Sequence, residues 1–446
     1  MISFELKKLP ETLKKSFSNP LIRNIIIVGV ISLLFKVIGF YKETMIASSF
    51  GLSELLDTFF IAILVPSFVQ SVFISSITNI FIPNYIAEIK QGGNTSSLQS
   101  VIFLVTLGIT LFSIVLAYLT TDFFLELIYP GHTESYYQLI KDQLFIILPC
   151  LIFWSLSSVF SGLLEMSNKF FISSISTIFP LLTMIFFLLF LKESLGNMVL
   201  AMGTLIGNAL GFIFLLAVIL KHKHLSLAKP TINYNTKLML RQLPPKMSSS
   251  FLTAMNNYID QFFAAQLAIG SIAAINYGIK IPSFAVSIVI TALGSVLLPH
   301  FSRLVNDNLK MAYGHLFRIL KWVVGVSLIL IVIGIFMSDF IVELLFERNE
   351  FTHDDTLKVA LIQKITLAYV PFYLSTLIIV KFLTSINKNH FMAWVSLLNL
   401  ITNTVLNIIL VKYFDVYGLA ISTTLVLIIS SCFYFGYTYK QYKKLV

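Results

Sequence analysis

Residues 66–83 read PSFVQSVFISSITNIFIP, and residues 282–299 read PSFAVSIVITALGSVLLP. Each copy opens on Pro-Ser-Phe and closes on a proline 17 positions later, and the copies lie 216 residues apart. Both sit within long apolar runs, so one proline-punctuated helix is written twice. A second echo follows each: Leu-Glu-Met-Ser-Asn-Lys at 164–169 and Leu-Thr-Ser-Ile-Asn-Lys at 383–388, offset by 219. In a chain of 446 residues this is one half repeated once, in the same orientation. Transporters built from parallel repeats follow that plan and place their site near the pseudo-two-fold axis. Pro66 and Pro282 also read as helix kinks, which are structural and mechanical at once.

Outward from the repeat, the apolar runs continue along the whole chain. Twelve segments are long enough to cross a bilayer as helices: 23–49, 56–86, 98–121, 138–164, 170–191, 197–220, 244–268, 272–302, 319–338, 358–386, 391–411 and 416–438. None alternates with period two, so strands are excluded. Fifty-seven per cent of residues are apolar and only 12% are charged, half the charged share of a soluble domain. Mean hydropathy is +0.88. The reading is an all-α polytopic membrane protein of about 12 transmembrane helices in two pseudo-symmetric six-helix lobes. Residues 1–22 form an amphipathic, basic segment on the cytoplasmic face, with no signal-peptide core. An N-lobe (23–220, spans 1–6) and a C-lobe (244–446, spans 7–12) flank a basic linker at 221–243.

Lysine and arginine gather on one side. The N-terminus through Arg23 carries five, 221–246 six, 303–321 four and the C-terminal tail three. The opposite loops are acidic, as in Asp339, Glu343, Glu347 and Glu350. Positive charge marks the cytoplasmic side, so both termini are expected there. A net charge of +10 then reflects topology and lipid headgroups and gives no reason to expect nucleic acid. Cys150 and Cys432 read as small buried hydrophobes without metal-ligand spacing. The seven histidines form no metal pair, and no G-x-x-x-x-G-K-[ST] loop is present. No enzyme is expected. A membrane glycan polymerase would also want a larger polar outer loop than 339–357 provides.

Ionisable residues inside spans are costly, so they mark an interior cavity or pair with one another. Lys36, Lys42 and Glu43 lie on the first span, Asp57 opens the second, Lys280 lies on the eighth, and Lys364 and Lys381 on the tenth. The lysines outnumber the acids, which points to a cationic cavity for an anionic substrate and away from a drug/cation antiporter. Lys36 and Glu43 are seven apart and share a helix face. Snorkelling to the interface is the other reading of these lysines. Asn399, Asn403 and Asn407 recur every four residues on the eleventh span. Their amides suit either interhelical hydrogen bonding or a hard cation such as sodium, with Asp260 and Thr423 completing the set. A backbone carbonyl near Leu419 is a further candidate ligand. Without a cation, Asp260 would serve protons instead.

Several stretches together resemble a known family. They are 36–43 (KVIGFYKE), Phe50-Gly51 through Asp57-Thr-Phe-Phe, 81–83 (FIP), 269–277 (IGSIAAINY), 297–299 (LLP) and 345–352 (LFERNEFT). The chain is similar to the MviN/MurJ branch of the multidrug/oligosaccharidyl-lipid/polysaccharide exporter superfamily over nearly its whole length. That resemblance implies alternating access and flipping of an undecaprenyl-diphosphate-linked glycan across the bacterial cytoplasmic (inner) membrane. MurJ proteins flip lipid II for peptidoglycan synthesis; a Wzx-like flippase of O-antigen or capsule repeat units is the alternative. It implies that Lys36, Lys42, Glu43 and Lys280 line the central cavity and meet the diphosphate, with Asp57 and Lys381 beside them. Sodium-using members are similar to this chain at Asp260, Asn403, Asn407 and Thr423. The partners implied are the lipid-linked diphosphate and membrane lipids, with the chain acting as a monomer. The chain departs from the pattern in three ways: it has twelve spans where MurJ proteins usually have fourteen, lysine at each cavity arginine, and Gln70-Ser71 at an arginine pair.

Overall fold

The computed structural model describes residues 20–167, 169–386 and 388–445. The expected amphipathic segment at 1–22 therefore lies outside the described residues up to position 19. Among the described residues every regular element is helical. Span 1 is Pro20–Phe50, span 2 Glu54–Lys90, span 3 Thr95–Ile128, span 4 Glu134–Met166, span 5 Phe170–Phe190 and span 6 Lys192–Lys221. Span 7 is Tyr234–Ala264. Span 8 breaks at Ile279 into Ser271–Gly278 and Lys280–Asp307. Span 9 is Leu309–Phe336, followed by a short helix, Ser338–Phe346. Span 10 joins His353–Leu367 and Val370–Ser385 at a 43° bend.

The final helix, Asn389–Lys443, is two spans joined at Asp415, whose φ of 52° and ψ of −134° are not helical. Gly418 then packs so close to the carbonyl of Leu410 that a Cβ there would lie 2.4 Å from its oxygen. Ser430 receives a hydrogen bond from Asn399, so the partners run antiparallel, as span 11 (389–414) and span 12 (416–443). The repeat extends to this turn. Gly196, 219 residues earlier, has φ 48° and ψ −124° and opens the same joint in the N-lobe. Thr133 and Thr352, also 219 apart, each cap a helix with the side-chain oxygen.

The two repeat prolines behave differently. Pro66 lies inside span 2 and is followed by a π turn at Gln70–Ile74. Its missing N–H loosens the ladder there. Pro282 falls in the first turn after the break at Ile279, where a missing N–H removes no hydrogen bond.

Leu119 (73% exposed) and Phe336 (83%) stand on the outside with many other large apolar residues, as expected of lipid-facing helices. The interior is uneven across the bilayer. At the face opposite the basic one, a single apolar cluster joins both lobes, from Ile46 and Leu56 to Ile272, Tyr277, Phe346 and Leu419. Toward the basic face the core divides. One part centres on Ile77, Phe81, Leu163 and Ile219, the other on Phe301, Leu316, Phe382 and Val395. The lobes are thus fused at the opposite face and have separate cores at the basic face.

Candidate functional site

At the fused end, hydrogen bonds cross between lobes in pairs. The His132 ring lies 2.9 Å from the carbonyl oxygen of Ala265, and the Glu350 amide donates to the carbonyl of Ser48. Ser48 and Ala265 both end the first span of their lobe, so the same clasp is made twice. Gly51 and Gly270 allow it: both have positive φ, and a Cβ on either would strike the other lobe's backbone at Glu350 or Leu52. Asp57 belongs to this clasp. It is buried, and its two carboxylate oxygens accept from the amides of Gly270 (2.6 Å) and Ala273 (2.8 Å) at the start of the helix Ser271–Gly278. A carboxylate suits that position, because the first amides of a helix lack partners within it and carry partial positive charge.

The charged cluster lies just below this clasp. Glu43 bridges Lys42 at 2.7 Å and Lys280, from the other lobe, at 3.0 Å. Lys36, two turns along the same face, donates to the Ser287 carbonyl of span 8 at 3.0 Å. Two ammonium groups, one from each lobe, therefore meet one carboxylate at the apex, and a third, that of Lys36, holds a carbonyl of span 8 two turns away. The three lysines stand on the first and eighth spans, and none is fully buried.

Two other expected members stand elsewhere. Asp57 is taken up by the helix 271–278, so its oxygens are committed to backbone amides and not turned to the lysines. Lys381 lies four residues before the end of its helix at Ser385, at the basic face. Lys364, grouped by sequence with the intramembrane charges, pairs with Asp339 at 2.7 Å on the acidic side. Cys432, expected to be buried, is exposed, while Cys150 is buried as expected.

The second cluster joins spans 7, 11 and 12. Asp260 accepts from Asn407 (2.8 Å) and Thr423 (3.0 Å), and Asn407 also donates to Asn403 Oδ1 (2.7 Å). Asn403, Asn407 and Leu419 are buried. The Asn407 side-chain oxygen is buried without a donor. An acceptor left over among a carboxylate, a second amide oxygen and a hydroxyl is a donor set that fits a small hard cation. Asn399, one turn before, instead donates to Ser430 and ties span 11 to span 12. The asparagine ladder thus divides between interhelical bonding and the Asp260 cluster.

Sequence reasoning missed two features of the basic face. Glu88, buried at the end of span 2, accepts from Asn233 and Asn235 at 2.6 Å each. The linker is laid along the N-lobe by Gln99 with Ser226, Ser100 with Ala228 and Ser97 with Thr231. The polar run Thr95-Ser96-Ser97 through Gln99-Ser100 at the head of an otherwise apolar span was the available signal.

Comparison with known proteins agrees with this geometry. The profile of the family described as "Lipid II flippase MurJ" matches residues 46–445. A probable lipid II flippase MurJ of Buchnera aphidicola subsp. Acyrthosiphon pisum is 28% identical over 91% of this chain and 81% of its own. One from Rickettsia prowazekii is 24% identical over 95% and 85%. Among solved structures, lipid II flippase MurJ in an inward closed conformation aligns with a TM-score of 0.73 at 22% identity, over 92% of this chain and 87% of that one. An inward-facing multidrug resistance transporter of the MATE family aligns at 0.77 with 12% identity, over 94% and 98%. The two structural likenesses establish the shared fold.

Proposed function

The chain belongs to the MurJ family of lipid II flippases, and from that premise we propose that it carries lipid II from the cytoplasmic to the outer leaflet of the bacterial inner membrane by alternating access. The observation that supports this reading is the apex cluster, where Lys42 and Lys280 of two lobes share the one carboxylate of Glu43 and Lys36 stands two turns away on the same helix face, held by the Ser287 carbonyl. A diphosphate brings about two negative charges and several strong acceptors, so it satisfies the lysines better than Glu43 can. Its arrival would draw Lys280 from Glu43 and so exchange one bond between lobes for another. Rocking about that point needs no hydrolysis, only clasps weak enough to exchange. We place the basic face, with both termini, in the cytoplasm. The divided core then leaves the lobes able to part toward the leaflet where the substrate is made.

The Asp260 cluster is proposed to hold sodium through the oxygens of Asp260, Asn403, Asn407 and Thr423, with the Leu419 carbonyl nearby. When bound, the ion supplies one positive charge to a buried carboxylate. The protein's own part is to hold three spans of the C-lobe in register around that carboxylate.

The test is flipping of fluorescent lipid II in proteoliposomes. The double variant Lys36→Ala/Lys280→Ala should fold, by its melting curve, and lose transport; transport at the wild-type rate would refute the assignment. A sodium gradient at fixed pH should change the wild-type rate and leave Asp260→Asn indifferent. Lysines hold phosphate as point charges and read little of its surroundings. A lipid-linked O-antigen unit, offered in the same assay, therefore separates the lipid II reading from the wider one.

A further inference from the structure

A large apolar groove lies on the seam between the lobes, and no residue of the lysine cluster lines it. Its volume is about 730 Å³, within the range of small-molecule sites. Span 3 of the N-lobe and span 7 of the C-lobe form its walls, through Phe112, Phe124, Met255 and Phe262, and Phe68 and Phe73 of span 2 form its back. Span 3 starts at the basic face with Thr95, and the groove begins at Ile109, roughly 21 Å along at 1.5 Å per residue. It ends at Tyr129. It therefore lies along the part of span 3 nearer the fused face.

Its lower end is sealed. Phe68 packs edge-on against Phe251 and Tyr258 of the other lobe, with ring centres 5.7 and 5.0 Å apart. Below them Ser76 and Ser250 hydrogen-bond across the same seam at 2.9 Å. Three of the hydroxyls around the groove are taken up by backbone. Thr120 and Thr121 donate to backbone carbonyls one turn earlier, and Tyr258 donates to the carbonyl of Leu64. The surface that faces the groove is mostly carbon. Leu116 and Phe112 at the rim are exposed, so it opens sideways to lipid.

We propose that this groove receives the isoprenoid tail of the lipid-linked substrate on the release side, an inference that rests on the flippase reading above. A headgroup held at the apex between two lobes must pass its tail out along a seam between them. On the seam of spans 2 and 7 the basic end is closed and the other end holds this groove, so a tail leaving there finds space only toward the destination leaflet. The groove gives no hydrophobic gain over the bilayer itself, since lipid tails are as apolar as its walls. Occupancy must come from the fit of a branched chain among aromatic rings and from the tether to a bound headgroup. A free phospholipid has the chain without the tether.

The test uses the full-length protein in proteoliposomes with two photoreactive probes. One is a polyprenyl-diphosphate glycan with a diazirine in its tail, the other a phosphatidylcholine with a diazirine in an acyl chain. The glycan probe should label peptides from 109–129 and 247–262, and excess unlabelled substrate should suppress that labelling at least fivefold. The phospholipid probe should give labelling that the substrate leaves unchanged. In a Cys432→Ser background, Leu116→Cys should lose flipping at least tenfold when the folded protein is modified with a bulky maleimide, compared with the same protein before modification. Binding of the water-soluble headgroup diphosphate should survive the modification. Equal labelling by both probes without competition would mean that bulk lipid fills the groove, and would overturn the proposal. So would labelling confined to other spans while flipping proceeds, which leaves the flippase reading intact. Failure to bind or flip any polyprenyl diphosphate would overturn both.

Discussion

Asp57→Asn should open the fused end of the molecule. The wild-type carboxylate accepts two short hydrogen bonds, 2.6 Å from Gly270 and 2.8 Å from Ala273, in a buried position between lobes. An asparagine of the same shape offers one oxygen and one NH₂. It keeps one bond, in uncharged form, and turns a donor toward the other amide. A hydrogen bond to a charged group contributes about 1.5–3 kcal/mol, and an amide left unsatisfied costs about 1–3. Loss of the charge from the helix N-terminus adds about 0.3–2 kcal/mol. These overlap, so a net cost of about 2–4 kcal/mol is expected, all of it in the clasped state, because water solvates either side chain once the lobes part. At 1.4 kcal/mol per tenfold, the clasped population falls about thirtyfold to several hundredfold relative to the open one. Spin labels on Ser135 and Asp354, exposed on the fused face of opposite lobes, report the separation by double electron–electron resonance. The variant should enrich the longer distances. An unchanged distance distribution would show that Asp57 is not a clasp, and the argument from its two amides would fall.

Glu43→Gln should lower the melting temperature by the equivalent of about 1–3 kcal/mol, because Lys42 and Lys280 lose their shared counterion; a fully buried pair would cost roughly 3–5, but these lysines are 21% and 29% exposed. Added pyrophosphate should restore more stability to this variant than to the wild type, as thermal unfolding would record. Gly418→Ala should destabilise by about 1–3 kcal/mol, since its Cβ would lie 2.4 Å from the Leu410 oxygen, and a melting curve matching the wild type would contradict the tight turn between spans 11 and 12. His224 of the linker is held below its usual 6.5 by burial, with Lys169 and His222 adding to the effect. Its docked ring therefore stays neutral while the undocked one takes up a proton, so docking is complete above 6.5 and weakens as pH falls below it. The protection of amides across 224–231, relative to their intrinsic exchange at each pH, should fall from about pH 7.5 to about pH 5.5, and His224→Gln should abolish that fall.

The twelve runs of apolar sequence were legible because bilayer thickness sets their length and each fills one crossing. The repeat was legible because the prolines of 66–83 and 282–299 and the Asn-Lys echoes kept their letters and spacing; the shared turn at Gly196 and Asp415 was not, since two different residues make it. Glu43 with Lys42 could be read as a pair because the two are neighbours in the chain. The partner of Asp57 could not, because it is no side chain. Two amides of a helix 213 and 216 residues away attract the carboxylate, and amides carry no letter in a sequence. Lys364 misled for the opposite reason. Position in a long helix suggested the cavity, but a chain reversal after span 9 returns Asp339 to its side. Asn399 and Asn407 look alike on a helix wheel, and only the tertiary packing of Ser430 and Asp260 tells them apart.

The strap at the basic face bears on how such a chain is made. Glu88, Ser97, Gln99 and Ser100 all belong to the first hundred residues, yet their partners are residues 224–235. Met239 and Leu243 likewise complete the apolar cluster of the N-lobe. When the sixth span leaves the ribosome, the first lobe has all its membrane crossings but an unfinished cytoplasmic floor, and it waits for the opening turns of the seventh to close it. Two fragments meant to reassemble from separate genes should accordingly be divided after residue 246, where the first lobe is whole, and not at 221, where the repeat alone would suggest the cut.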